Sequence, residues 1–351
     1  MTSHKHLFLL DDAITIMPSM IDAHVHLALD GKDSKTAIAL WDQQEMLSNR
    51  VQQDLDVYLT RGIGFVRDGG DRREINLMIS KLIKQGVMSG PGIVSTGQAL
   101  RQADHYGSFL GNGYSSTAEI PAVISRLLSQ GADQIKVILS GAVSFKKYGA
   151  VEPAAIKPDE LKLLVKQAHE NGSRVMAHAN SAASVGLAIQ AGVDSIEHGY
   201  FLNSESLKAM AERQIAWVPT IIPVAVQVKE PMLHNWSKTE IAIINRTYRK
   251  HMEQLVPAKQ LGVPLGLGTD SGAPGVRHGL SLIKEMSLYS EAGLSNRDIL
   301  QSVTATNARI LGLAENIGTL GVQQAPCLIG VSGDPLADLK ALEKVKWLFI
   351  V

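Results

Sequence analysis

The sequence contains a single cysteine, Cys327, in 351 residues. A lone thiol closes no internal disulfide, so the fold makes no use of an oxidising compartment and a cytoplasmic location is expected. Aromatic residues are scarce at 5%, and neither sign of charge prevails, with 34 basic residues against 34 acidic. That balance argues against nucleic acid or an anionic membrane as partner, because phosphate surfaces select an excess of Lys and Arg. No apolar run approaches the roughly 20 residues that span a bilayer. The early run Leu7 to Leu10 is too short for the core of a signal peptide. No G-x-G-x-x-G follows an early strand, which removes the usual sign of a nucleotide-binding open sheet. What remains, 45% apolar and 19% charged residues with 13 prolines spread along the chain, is the composition of an enzyme-sized globular protein. The one mild excess is of histidine, 11 residues, and the question becomes whether they are scattered or placed.

Apolar runs closed by polar or glycine residues read as strands at Met20 to His26, Gly64 to Asp68, Gly92 to Thr96, Gln134 to Leu139, Arg174 to His178, Ser195 to His198, Ala216 to Thr220 and Pro264 to Gly268. Helix signals lie between them. Pro158-Asp159-Glu160 opens a helix that Asn171-Gly172 closes, Ser181 opens another that ends at Ala191-Gly192, and others span Glu205 to Arg213, Thr239 to Leu261 and Ser295 to Leu311. Such alternation predicts an α/β fold, a (β/α)8 TIM barrel over residues 16–316, whose strands are buried on both faces and so read as continuous apolar runs. Residues 1–15 and 317–351 carry short β-like pieces (Phe8 to Leu10, Cys327 to Val331, Trp347 to Val351) and predict a small β appendage built from both termini.

In Asp22-Ala23-His24-Val25-His26, alternation along a strand points both histidines into the barrel at its C-terminal mouth, where barrel enzymes do their chemistry. Other strand ends carry matching residue types: His178 in Ala177-His178-Ala179-Asn180, His198 in Glu197-His198-Gly199, and Asp270 in Thr269-Asp270-Ser271. Lys136 stands inside the apolar run Ile135-Lys136-Val137, where a free ammonium is costly unless it is paired or neutralised. If the barrel closes, these groups converge, and their chemistry suits zinc or a similar divalent ion.

This ordered set resembles the amidohydrolase superfamily, in particular its binuclear, imidazolonepropionase-like and prolidase-like branch. The likeness runs from about residue 18 to the end, through Pro18-Ser19-Met20-Ile21-Asp22 and the closing Gly333-Asp334-Pro335-Leu336-Ala337-Asp338-Leu339. The resemblance implies two divalent metal ions, with His24, His26 and Asp270 on the more buried, His178 and His198 on the more exposed, and an N-carboxylated Lys136 between them. It further implies hydrolysis of an amide C–N bond by a hydroxide bridging the metals, with Asp270 taking the proton and passing it to the leaving nitrogen. The substrate class it suggests is a small molecule: a dipeptide such as Xaa-Pro or an N-acyl amino acid, ahead of a cyclic amide or lactone. A deaminase is the alternative within the superfamily, and Lys136 counts against it. A catalytically silent barrel used for binding is the alternative outside enzymes. Two departures stand out. Prolidase-like relatives often have a tyrosine where this chain has Asn180, and the closing segment reads Ala325-Pro326-Cys327-Leu328 where an alanine-aspartate-leucine start is usual.

His105, after strand three, matches a histidine near the substrate in prolidase-like relatives. Arg277 and His278 are candidates for a substrate carboxylate, Arg277 by bidentate pairing. Tyr148, Asn180 and Tyr200 are candidate pocket walls. Thr269 and Ser271 flank Asp270 either as orienting groups or as plain turn residues. His4, His6, His169, His234 and His251 read as surface, and Cys327 as a buried inert thiol. Tyr, Trp and Met on the outer helices leave room for a homo-oligomer.

Overall fold

The computed structural model describes residues 14–153, 156–229, 236–322 and 324–350. The strand piece expected at Phe8 to Leu10 and the histidines His4, His6 and His234 lie outside them. Eleven strands are described. β1 (Ile14–Pro18) pairs antiparallel with β10 (Cys327–Ser332), which pairs antiparallel with β11 (Val345–Ile350). The other strands are parallel to their neighbours: β2 (Met20–Val25), β3 (Ile63–Asp68) and β4 (Gly92–Ser95) form one sheet, and β5 (Ala99–Leu100), β6 (Gln134–Ile138), β7 (Arg174–Ser181), β8 (Ser195–Phe201) and β9 (Ala216–Val218) form a second. Helices occupy the connections, so the protein has an α/β fold.

One segment links the two parallel sheets. Expected as a strand at Pro264 to Gly268, it is less regular than that, and its backbone bonds are split between neighbours. Trp217 N donates to Pro264 O and Gly266 N to Trp217 O on the β9 side; on the β2 side Ala23 N donates to Leu267 O and Asp270 N to His24 O. Asn307 seals this seam. Its Oδ1 accepts from Leu267 N at 2.9 Å, and its Nδ2 donates to the carbonyls of Ile21 and Leu267, both at 2.7 Å. Asn307 follows a π-helical turn, Ser302–Thr306, set inside an otherwise α-helical stretch, a distortion often found where a helical side chain is re-aimed for a purpose. Gly268 belongs to the same seam, because a Cβ there would meet His24 N at 2.8 Å.

Caps fall where the sequence places them. Ser181 Oγ accepts from Ser184 N to start the helix Ala182–Ala191, and Gly192, at φ 82°, ends it in the left-handed conformation. The long helix expected over Thr239 to Leu261 is two helices, Lys238–Met252 and Leu255–Leu261. Pro257 explains the break: it has no N–H to donate to Glu253 O and its ring crowds that carbonyl. A further helix, which the sequence reading does not include, covers Ile222–Lys229. His251, read as surface, is fully buried, its Nε2–H donating to Pro219 O at 3.0 Å. His169 is half-exposed as expected, against Asp194. Among the described residues no helix is long and apolar enough to cross a membrane.

Candidate metal centre and active site

The C-terminal ends of the parallel strands bring the four histidines to one place. The ring centroids of His178 and His198 are 4.5 Å apart, those of His24 and His198 5.0 Å, and those of His24 and His26 5.4 Å. Asp270 Oδ1 stands 3.4 Å from His26 Nε2 and 3.6 Å from His24 Nε2, so His24, His26 and Asp270 form a group whose ligand atoms lie within metal-holding reach of one another. Lys136 comes up from β6 beneath them, and its Nζ is 3.4 Å from His24 Nε2.

Three of the imidazoles are oriented by a bond on the side away from the cluster. His24 Nδ1–H donates to Glu197 Oε2 at 2.9 Å and His26 Nδ1–H to Gly70 O at 3.1 Å, while His198 Nδ1 and Thr220 Oγ1 share a hydrogen bond of 2.6 Å. At His24 and His26, whose partners can only accept, the bond selects the tautomer whose Nε2 lone pair is free, the arrangement in which histidine binds metal. His178 Nε2 lies 3.3 Å from Gly141 O and 3.1 Å from Asn180 Nδ2. Burial, followed by the charge of Lys136, pushes His26 and His178 down to about 3. His24 falls well below its ordinary value for the same two reasons, and so does His198 through burial and then His178. Four neutral imidazoles are therefore available as lone-pair donors at neutral pH.

Beneath them lies a network of buried charge. Arg67 Nη2 donates to Glu197 Oε1 at 2.8 Å, Arg67 Nη1 to Ser195 Oγ at 2.9 Å, and Ser195 Oγ to Glu197 Oε1 at 2.6 Å. Glu197 thus has one oxygen on Arg67 and the other on His24. Asp22 ties β2 to the seam: Thr269 N and Thr269 Oγ1 donate to its two oxygens at 3.0 and 2.7 Å. Thr269 orients the segment that carries Asp270, and Ser271 Oγ, 2.6 Å from Thr269 Oγ1, extends the same chain. Burial lowers the Lys136 amine from its ordinary value and raises the Asp270 carboxyl, which the Lys136 charge pulls back down. Three residues here hold left-handed backbone without being glycine: His198 at φ 66°, Thr220 at φ 47° and Asp270 at φ 58°. Such conformations cost on the order of 1–3 kcal/mol each. They are sustained by the packing that aims these side chains.

The cluster floors a cavity of about 530 Å³, lined above the floor mainly by apolar and aromatic side chains. Asn180 and Tyr200 lie on its wall; Tyr200 Oη donates to Thr220 O at 2.8 Å, so it presents its ring. Asn180 Oδ1 is buried without a hydrogen-bond partner among the described residues. The remaining substrate candidates lie elsewhere. His105 lines a smaller adjoining cavity, 3.5 Å from Glu152. Tyr148 packs edge-on against Phe201, with the Arg246 guanidinium 3.8 Å above its ring. Arg277 is exposed, outside the set of cavity-lining residues. His278 is buried with both ring nitrogens engaged, Nδ1 by Tyr58 Oη at 2.9 Å and Nε2–H by Leu29 O at 2.8 Å, so it packs as a core residue and reaches no substrate.

Residues 15–350 match the Amidohydrolase family. The chain belongs to that family. It is 26% identical over 298 residues to the ochratoxinase of Aspergillus niger, an alignment covering 76% of this chain and 60% of the ochratoxinase. A crystal structure of an amidohydrolase superposes with a TM-score of 0.84 at 25% identity, covering all of this chain and 88% of the other. A Xaa-Pro dipeptidase with methionine bound in its active site superposes with a TM-score of 0.82 at 24% identity, over 98% of this chain and 91% of the dipeptidase, which speaks to the fold alone. This amidohydrolase is thus a hydrolase of C–N bonds; its family is generally metal-dependent, and the His24, His26, Asp270 group is placed so that it could hold a metal ion. Sequence reasoning overlooked Asp22, Arg67 and Glu197 as positioning groups. Their signal was present, since each is a charged residue within a strand that reads as buried on both faces.

Proposed function

We propose that the protein is a binuclear metal-dependent amidase on a (β/α)8 barrel, with residues 1–15 and 317–351 forming the β appendage. The seam bonds of segment 264–270 to both β9 and β2 support the barrel reading. The observation that carries the function is the convergence of His26, His178, His198, Lys136 and Asp270 at the floor of one cavity, with His24 buried directly behind them.

The donor set fits divalent ions such as zinc: neutral imidazoles with oriented lone pairs and a carboxylate. Lys136 fits as a carbamate. Its only hydrogen bond among the described residues is to His24, and a buried ammonium so placed is costly. Loss of one proton frees the Nζ lone pair to attack carbon dioxide, and loss of a second leaves a carbamate, so that two protons depart in all and the cation becomes an anionic oxygen ligand. His24, His26 and Asp270 would then hold one ion, His178 and His198 the other, with Lys136 shared. Bound there, the ions supply an acidified water and polarise the substrate carbonyl.

The chain's own part is proton handling and positioning. Asp270 is the candidate ligand carboxylate with access to the cavity, 18% exposed at its side chain. It is placed to accept the proton of the attacking water and to return it to the departing nitrogen, one carboxylate serving as base and then acid. Asp22 and Thr269 fix the backbone behind it, and Glu197 fixes His24. Dipeptides such as Xaa-Pro and N-acyl amino acids are the amides that the family resemblance brings forward. Elemental analysis of purified protein tests the centre: about two divalent ions per chain are expected, with amide hydrolysis lost on chelation and restored by zinc. One ion per chain removes the shared lysine, and none removes the reading.

A further inference from the structure

The cavity above the metal-binding floor has a chemical bias that narrows the substrate. Its wall includes Leu29, Ile38, Phe109, Phe145, Val224 and Trp236, and among the described residues its only charged side chains are Lys136 and Asp270, both on the floor. Apart from the histidines of the floor, its uncharged polar lining residues are Ser34, Tyr106, Asn180, Tyr200 and Gln227, of which Asn180 Nδ2 donates to Gly141 O at 3.0 Å, Tyr200 Oη donates to Thr220 O at 2.8 Å, and Gln227 Oε1 accepts from Trp236 Nε1 at 3.1 Å. A dipeptide or an N-acyl amino acid brings a free carboxylate, and a carboxylate taken out of water needs a cation or several donors.

Three cationic or titratable side chains that the sequence or the adjoining cavity brings forward do not serve the pocket. Arg101, in the adjoining small cavity, donates to the carbonyls of Gly111, Gln102 and His105 at 2.8, 2.9 and 2.7 Å. His105 faces Glu152, and the Arg277 side chain is exposed outside the lining.

We infer that the pocket selects an uncharged, apolar amide, an N-acyl amine or anilide with aromatic or alkyl groups on both sides of the scissile bond, and discriminates against amides with a free carboxylate. This rests on the amide-hydrolase reading and specifies its substrate class. A cavity of about 530 Å³ suits a two-ring amide, since ligand pockets commonly run to roughly 300–1,000 Å³.

A matched pair tests it. N-benzoylphenethylamine is N-benzoyl-L-phenylalanine without the carboxylate, so the two differ only in the charge at issue. With the zinc-loaded full chain, kcat/KM for the neutral compound is expected to be at least about tenfold higher, the acid having to bury an unpaired charge. Equal rates, or preference for the acid, overturn the inference. If neither is cleaved, calorimetric titration of both compounds separates the claims. Binding of the neutral compound alone keeps the pocket inference and removes the hydrolase reading, whereas binding of the acid, or of neither, overturns the inference. Ile38→Arg, on a partly exposed helix at the cavity wall, is expected to shift the preference toward the acid by about tenfold, with Ile38→Gln as the uncharged control. An unchanged ratio in Ile38→Arg, with the variant folded by circular dichroism, also overturns it.

Discussion

The floor and the wall of one cavity are built on opposite principles. The floor concentrates ionisable groups in a place that water barely reaches: four imidazoles, Lys136 and Asp270, with Arg67 and Glu197 behind them. The wall, a few ångströms higher, is apolar and nearly without charge. The floor stands on strand ends, where alternation and the parallel register fix each side chain; the wall is assembled from loops and helix ends. Reaction type is thus written into the rigid part of the molecule and substrate choice into the adaptable part.

Breaking the floor has the largest expected effects. Lys136→Ala should abolish both metal retention and hydrolysis; a variant that keeps two ions per chain would show that Lys136 is not shared between them. Asp270→Asn keeps the shape and removes the proton acceptor, with an expected loss of about 10²–10⁴-fold in kcat. Glu197→Gln leaves His24 in place while weakening the bond that sets its tautomer, which should cost about 10–100-fold in metal affinity, read by chelator competition. Unchanged affinity would reduce the Arg67–Glu197–His24 chain to packing.

Changes to the wall should be smaller and of another kind. Phe145→Ala is expected to raise KM for an apolar amide by about tenfold with kcat little altered; a fall in kcat alone would place Phe145 with the floor. A last effect, on stability and not on turnover, concerns how the wall is held. Glu285 accepts from Ile221 N and Ile222 N, both at 2.8 Å, at the start of the helix that carries Pro223, Val224 and Gln227. Burial, which outweighs those two bonds and is reinforced by Asp22 and Asp270, raises its carboxyl from 4.5 to about 8. A folded-state value above the unfolded one means that the folded chain holds the proton more tightly. Stability is then full below about 4.5 and falls as pH rises toward about 8, by up to about 1.4 kcal/mol per pH unit. Glu285→Gln should flatten that slope, measured as Tm between pH 5 and 8.5, and an unaltered slope would assign it to other groups.

The same division explains what could be read from the sequence. The six candidate metal-site residues were legible because each stands at, in or just beyond a strand with a recognisable apolar run, and Ser181 and Gly192 announced their helix ends through local chemistry. The wall was not legible. Phe145, Trp236 and Ile38 look like ordinary apolar residues until loops from distant parts of the chain are brought together. His278 and His251 show the limit from the other side. A histidine's neighbours decide whether it serves a substrate, the surface or the core, and the partners of both, Leu29 and Tyr58 for one and Pro219 for the other, are remote in sequence. Asn307, which fixes the seam from a π-helical turn, follows no sequence period that marks it.

The seam has a consequence for how the protein comes into being. His24 and His26 come before His178 and His198 in the chain, and Asp270 and its fastener Asn307 follow both pairs. Before that point the nascent polypeptide offers only scattered imidazoles to any passing ion. On the binuclear reading proposed above, metal loading is expected to follow synthesis of Asp270 and Asn307.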